Sequence, residues 1–362
     1  IILRWRPPEI SFQNEEATVS IELEKRPVDT IDGIIGFLPN NSNDNGLLIT
    51  GEFDLELYNP FSSGKHIGIH WRRLREETQR LALEYDHPHI LGSAISLETS
   101  FNFLKQDSTF NRRDFGIDFN INLGLNASLG VVSQFINTDL IATSQYDNNT
   151  QLPNILDFQY RRYGLKFSFN SLDDNILPSR GLNLELSGTV GNKIIQPNSG
   201  ISNELYQNVD LKSIQYQYDL QAEQYWSIGK KAVLLTGLNV GWLNNPNLFQ
   251  NDAYRIGGLK SIRGFNEATF FATSFLYSNI ESRFFLDDVS YLLLFTDLGF
   301  VNERFVGQEN QDTNYLMGFG TCISFATNSG VFNFVYALGT SNSIGPVNFN
   351  QSKIHFGFST RF

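Results

Sequence analysis

Hydrophobic and polar residues alternate along most of this chain with the two-residue period of an extended strand. Leu47, Ile49, Gly51, Phe53, Leu55 and Leu57 fall on one side of such a strand, and Thr50, Glu52, Asp54 and Glu56 on the other. Successive strand side chains point to opposite faces, so this segment has one apolar and one wet side. The pattern returns at Phe115, Ile117, Phe119, Ile121 and Leu123 against Asp114, Asp118, Asn120 and Asn122, and at Leu182, Leu184 and Leu186 against Asn183, Glu185 and Ser187. Followed to the end, it predicts strands near 31–39, 47–59, 65–74, 79–87, 93–105, 113–124, 126–137, 158–170, 181–191, 209–226, 232–244, 273–286, 289–300, 314–326, 330–340 and 352–362. An even number of long strands is what a single-chain bacterial barrel requires, whereas a soluble β-sandwich rarely needs so many. The expected fold is all-β, a sixteen-stranded antiparallel transmembrane β-barrel.

The connections at 59–64 and 172–180 are short. Those at 138–157, 192–208, 245–272 and 301–313 are long and polar, and are expected to share the cell-exterior end, because periplasmic turns are short. Residues 1–30 read differently from 31–362. Glu9–Gln13 and Ala17–Glu24 form two alternating runs around Asn14-Glu15-Glu16, a hairpin pattern, and Pro27 marks the passage into the barrel.

Composition sharpens this picture in three places. Phenylalanine is abundant at 31 of 362 residues, yet mean hydropathy is slightly negative, as expected of strands that face lipid on one side and water on the other. No run approaches the roughly 18 consecutive apolar residues of a membrane helix. A net charge of −11 argues against a nucleic-acid partner, which would need a basic face. One cysteine, Cys322, excludes an internal disulfide framework and any multi-cysteine metal site. His66 with His70, and His87 with His89, could share strand faces, but are expected at the water interface rather than on a metal. No G-x-S-x-G elbow is present, and Asp173-Asp174 and Asp287-Asp288 sit in turns, where aspartate is ordinary. The expectation is no enzyme, no cofactor and no metal.

The most informative stretch is Gly257-Gly258-Leu259-Lys260-Ser261-Ile262-Arg263-Gly264-Phe265, followed by two strands that each carry an acid, Glu281 and Asp297. A buried guanidinium needs carboxylate or carbonyl partners, and Glu281 and Asp297 can supply them. If Glu281 faces the lumen, so do Tyr277, Asn279 and Arg283, while Leu276, Ile280 and Phe284 face lipid. Gly318, Gly320, Cys322 and Ser324 form a small-residue face opposite Tyr315, Met317, Phe319, Ile323 and Phe325, and would leave room for an inserted loop.

Ile262-Arg263-Gly264-Phe265, Thr296-Asp297-Leu298-Gly299 and the terminal Phe362 together resemble the BamA/TamA/FhaC superfamily of outer-membrane assembly and secretion barrels. The resemblance implies that the arginine loop is an extracellular loop folded back into the lumen, with Arg263, Gly264 and Phe265 clasped by Glu281 and Asp297. It also implies that residues 1–30 are the tail of a periplasmic POTRA-like module, and that Asp173 to Gly181 is the family's aspartate-and-proline turn. His355, Gly357, Phe358 and Phe362 resemble the C-terminal recognition signal of such barrels, with Thr360 standing where a hydrophobic residue is usual.

The first barrel strand contains Gly33 and Gly36 and closes on Pro39, all weakening features, so its seam with the last strand is expected to be the least secure joint. Ile35 and Phe358 are expected to lie near each other across it. An exposable strand edge is a template for another chain. The implied role is therefore an assembly or translocation factor that opens at this seam to handle client polypeptides. A two-partner-type pore for one dedicated cargo and a passive porin are the alternatives. Implied partners are outer-membrane lipids including lipopolysaccharide, client or cargo chains and accessory periplasmic lipoproteins.

Overall fold

The computed structural model describes residues 3–5, 9–13, 16–20, 23–25, 28–39, 47–75, 77–143, 151–307 and 312–361. Four short strands come first: β1 (Leu3–Trp5), β2 (Glu9–Gln13), β3 (Glu16–Ser20) and β4 (Leu23–Lys25). The second run of the expected hairpin is divided. β3 pairs with β2, while β4 turns back to pair with β1. Asn14, Glu15 and Pro27 lie outside the described residues.

The barrel begins with β5 (Thr30–Pro39), β6 (Leu47–Tyr58), β7 (His66–Arg75), β8 (Thr78–His87), β9 (Ile95–Gln106) and β10 (Phe110–Asn122). It continues through β11 (Ala127–Leu140), β12 (Phe158–Asn170), β13 (Gly181–Ile195), β14 (Lys212–Ile228) and β15 (Ala232–Asn244). Two short strands, β16 (Tyr254–Ile256) and β17 (Phe270–Ala272), pair only with each other inside the long loop, where the alternation predicts none. The wall resumes with β18 (Ser274–Phe285), β19 (Tyr291–Glu303), β20 (Asp312–Thr327), β21 (Gly330–Ser341) and β22 (Lys353–Arg361).

Each wall strand is antiparallel to the next, and β22 pairs with β5 to close a sixteen-stranded barrel. Closure removes the free edges an open sheet would expose. The predicted alternation is realised in the wall. Phe53, Phe115, Leu165, Leu276, Phe300 and Phe356 are exposed on the outer face, while Asp54, His70, Asn120, Glu281 and Asp297 face inward. The wall is not uniform in height. β14 and β20 have 17 and 16 residues, but β5 has 10 and β22 has 9. At about 3.3 Å per residue this makes the strands at the seam shorter by roughly 20 Å than β14 and β20.

Connections at the end carrying the termini are short; the other end carries the long loops β11–β12, β13–β14 and β15–β18, although β7–β8 and β9–β10 are joined there by only two and three residues. Part of that far end is capped by an apolar cluster built from Leu156, Ile201, Tyr206, Val209 and Phe249 on loops, packed on Phe158 and Tyr160 of β12. Beneath it, Lys193 of β13 is fully buried, ion-paired with Asp252 and donating to the Asn247 carbonyl at 2.8 Å.

Candidate functional site

The loop between β15 and β18 enters the lumen, and β16 and β17 form its stem. Its tip turns at Gly257 and Gly258, whose φ values of 111° and 107° lie in the region L side chains avoid. Local bonds then fix the tip. Gly257 N–H donates to Ser261 Oγ at 2.9 Å, Ala268 N–H to the Gly257 carbonyl at 3.0 Å, and Leu259 N–H to Glu267 Oε1 at 2.6 Å. Ile262 and Phe265 are buried with Ile256, Phe270, Tyr277 and Val301, so the tip carries its own apolar core into the barrel.

Arg263 is held by four hydrogen bonds. Its backbone N–H and Nε both donate to Asp297 Oδ2 at 2.8 Å, Nη2 donates to Asp297 Oδ1 at 2.6 Å, and Nη1 donates to Glu281 Oε1 at 2.7 Å. The Nε/Nη2 pair makes a two-pronged fork on one carboxylate, the geometry a planar guanidinium favours. Asp297 is completely buried. Asn279 supports the same acid, donating from Nδ2 to Asp297 Oδ1 and to the Ser261 carbonyl, both at 2.8 Å. Arg283 occupies the other Glu281 oxygen at 2.8 Å, and the Arg263 guanidinium lies 3.7 Å from the centre of the Phe295 ring. The structure thus brings Arg263, Gly264, Phe265, Glu281 and Asp297 together on β18, β19 and the loop. Asn279, Arg283 and Phe295 join them; the strand alternation places Asn279 and Arg283 inward but does not identify their partners.

The loop lies against the wall at glycines. Gly264 has φ 91°, and a Cβ there would collide with the Leu338 carbonyl of β21. Cβ atoms at Gly318 and Gly339 would strike the backbone of Arg263 and Gly264, and one at Gly299 would strike Ile262. The glycine in Asp297-Leu298-Gly299 therefore makes room for the isoleucine that precedes Arg263.

A second anchor reaches the opposite flank of the seam. Lys260 Nζ is 2.7 Å from Asp54 Oδ2 and 3.3 Å from Glu52 Oε2, both on β6. One loop tip therefore touches β18 to β21 on one side of the β22–β5 joint and β6 on the other.

At the joint the register runs from Ile354↔Phe37 to Arg361↔Thr30, eight pairs, against thirteen between β12 and β13. Gly36 lies opposite His355 and Thr50, and a Cβ on it would collide with the Thr50 hydroxyl. The glycine leaves space inside the wall for the buried His355 ring. Gly33 faces outward opposite Phe358, and Gly357 lies opposite Ile34. Ile35 pairs with Phe356, not Phe358: the expected pair has the right face but is two residues out of register. Phe362 lies outside the described residues.

Of His66, His70, His87 and His89, the first two depart from expectation, whereas His87 ends β8 and His89 is exposed on the turn after it. His66 bridges Glu56 Oε2 at 2.6 Å and Asp86 Oδ2 at 2.8 Å, and His70 lies 2.9 Å from Asp54 Oδ1, so both belong to a lumenal ladder with carboxylates. Among the described residues no group of three or more histidine, cysteine or acidic side chains is arranged to hold a metal ion.

A family model, the Omp85 superfamily domain, matches residues 59–362. No curated protein matches the chain. Among solved structures, BamA from Haemophilus ducreyi lacking POTRA domains 1–3 aligns with TM-score 0.57 and 14% identity, over 98% of this chain and 76% of that one. CdiB from Acinetobacter baumannii aligns with TM-score 0.60 and 14% identity, over 100% of this chain and 66% of its own. CdiB from Escherichia coli gives TM-score 0.60 and 12% identity, over 99% and 68%. The chain thus spans about two thirds of the CdiB proteins, and at these identities the likeness is one of fold.

Proposed function

Because the chain belongs to the Omp85 superfamily, and is an outer-membrane β-barrel resembling both BamA and CdiB, we propose that it inserts client polypeptides into the outer membrane by opening at the β22–β5 seam. The seam carries this reading. It joins two of the shortest wall strands and contains Gly33 and Gly36, and an opened edge would offer unpaired backbone groups to a client strand. The lumen-bound loop and the apolar cap at the loop end favour a lateral route, since axial passage would have to displace both. On this reading Arg263, Gly264, Phe265, Glu281 and Asp297 form a clasp that holds the lumenal side of the gate.

In this proposal both termini face the periplasm, residues 1–30 are the tail of a POTRA-like module and 31–362 the barrel, and the long loops face the cell exterior. Lipopolysaccharide surrounds the wall, accessory lipoproteins assist from the periplasm, and no enzymatic step is involved. The test places a photo-crosslinking amino acid at Ile35 or Phe356 and, as controls, at Leu165 and Phe115, in barrels reconstituted in vesicles and supplied with an unfolded outer-membrane barrel. Client adducts at the seam and not at the controls are expected. A chain captured only at lumenal positions along the barrel axis would instead support the dedicated secretion pore. Adducts at neither, with a steady open conductance, would support a porin.

A further inference from the structure

The lumen contains a cavity of about 400 Å³ between β7–β10 and the inserted loop, apart from the Arg263 clasp and the seam. We infer that it binds a small organic anion. Ladder register supplies the first argument. Arg72 of β7 is directly opposite Arg80 of β8, Arg80 is opposite Leu104 of β9, and Leu104 is opposite Arg112 of β10. All four face inward and line the cavity. Three guanidiniums therefore occupy one level of the wall across four strands spaced about 4.8 Å apart. Like charges directly opposite one another destabilise a sheet, so the row requires compensation.

The protein compensates its ends and not its middle. Arg112 Nε donates to Asp114 at 3.0 Å, and Nη1 donates to the Asn251 carbonyl at 3.1 Å. Arg72 Nε stands 3.5 Å from Glu52 Oε2. Arg80 donates to Asn102 Oδ1 at 2.9 Å, a neutral acceptor, and among the described residues no carboxylate lies within ion-pair distance of it. Its head is open to the lumen. Across the cavity the loop adds Lys260 and Arg255, and the lining acids are Asp114 and Glu267. An anion between Arg72 and Arg80 would meet two guanidiniums able to fork onto its oxygens.

The rest of the lining sets the ligand's other half. Leu104, Phe110, Ile256 and Phe275 form an apolar wall beside the arginines. The volume lies toward the lower end of small-molecule sites. The occupant is therefore a compact molecule with a phosphate or carboxylate head and an apolar body, rather than a bare inorganic ion.

Titration calorimetry of the folded barrel in detergent tests this with phenyl phosphate, benzoate, inorganic phosphate and neutral benzyl alcohol. Saturable binding of phenyl phosphate or benzoate is expected, at least tenfold tighter than inorganic phosphate, with none for benzyl alcohol; the tighter of the first two identifies the head group. Arg80→Gln should weaken binding tenfold or more, and Lys230→Gln, on a turn outside the lumen, should leave it unchanged. Should Arg80→Gln fail to fold, Leu104→Glu, which places a carboxylate within the row, should abolish binding while retaining heat-modifiable mobility. No saturable binding by either organic anion, or undiminished affinity in a folded Arg80→Gln or Leu104→Glu barrel, would overturn the inference.

Discussion

Replacing Arg263 with alanine removes three side-chain hydrogen bonds and a guanidinium shared by two buried carboxylates at once. The backbone donor survives, leaving Asp297 with Asn279 and one amide, and Glu281 with Arg283. Breaking a buried pair by deleting one partner costs about 3–5 kcal/mol, because the remaining charge stays buried without compensation. An exposed pair would cost about 0–1 kcal/mol. The first figure applies here, since Asp297 is inaccessible and Glu281 nearly so. Arg263→Lys should recover less than half of the loss, because an ammonium cannot fork onto Asp297 while also reaching Glu281. The assays are urea unfolding in lipid vesicles followed by tryptophan fluorescence, and protease cleavage within 257–268. Arg263→Ala combined with Asp297→Ala should cost less than the two singles summed, by about 1–3 kcal/mol. Additive costs, or a lysine variant equal to the parent, would refute the clasp.

Other consequences follow from the same contacts. Gly339→Ala, which sets a methyl against the Gly264 backbone, should expel the loop tip and raise protease access there with little change in barrel mobility on gels. Lys260→Gln should cost no more than about 1 kcal/mol, because its side chain is 41% exposed, yet should speed client handling if the loop restrains both flanks of the seam. Lys193→Ala should destabilise the loop-end cap by about 3–5 kcal/mol, whereas replacing Lys193 and Asp252 together with apolar residues should be nearly neutral; heat-modifiable mobility reads both. In the 172–180 turn, burial would raise the Asp173 carboxyl, but hydrogen bonds from the Ser179 hydroxyl and amide and the Arg180 amide outweigh it and hold it below its usual range. A depressed folded value means the turn's added stability is present above the unfolded value near 3.8 and fades as pH falls through the folded one. Hydrogen exchange of the turn should show this loss on acidification, and Asp173→Asn should abolish the dependence.

Strand parity was legible throughout the barrel wall because each face meets a different medium. The acids at Glu281 and Asp297 could be paired with Arg263 because all three interrupt otherwise regular segments within 35 residues of chain. Register is another matter. Ile35 and Phe358 have the right face, but sliding a strand by two residues preserves every inward and outward position, so alternation alone cannot choose Phe356. For the same reason the row Arg72, Arg80 and Arg112 looks like three unrelated lumenal arginines until the ladder aligns them. Lys260 and Asp54 are separated by 206 residues, and only barrel closure makes them neighbours. The glycines were partly readable: Gly264 and Gly318 stand out in the sequence, whereas Gly339 acquires its meaning from the loop backbone lying against it. β16 and β17 are three residues each, too short to show a period.

The central claim is that clients pass through the joint between β22 and β5. Ile35→Cys with Phe356→Cys, in a background where Cys322 is replaced by serine, places a disulfide across an outward-facing register pair of that joint. Client insertion into vesicles should stop on oxidation and return on reduction, with the barrel folded throughout by heat-modifiable mobility. Insertion at the same rate in the oxidised and reduced states, with the crosslink complete, would contradict the account.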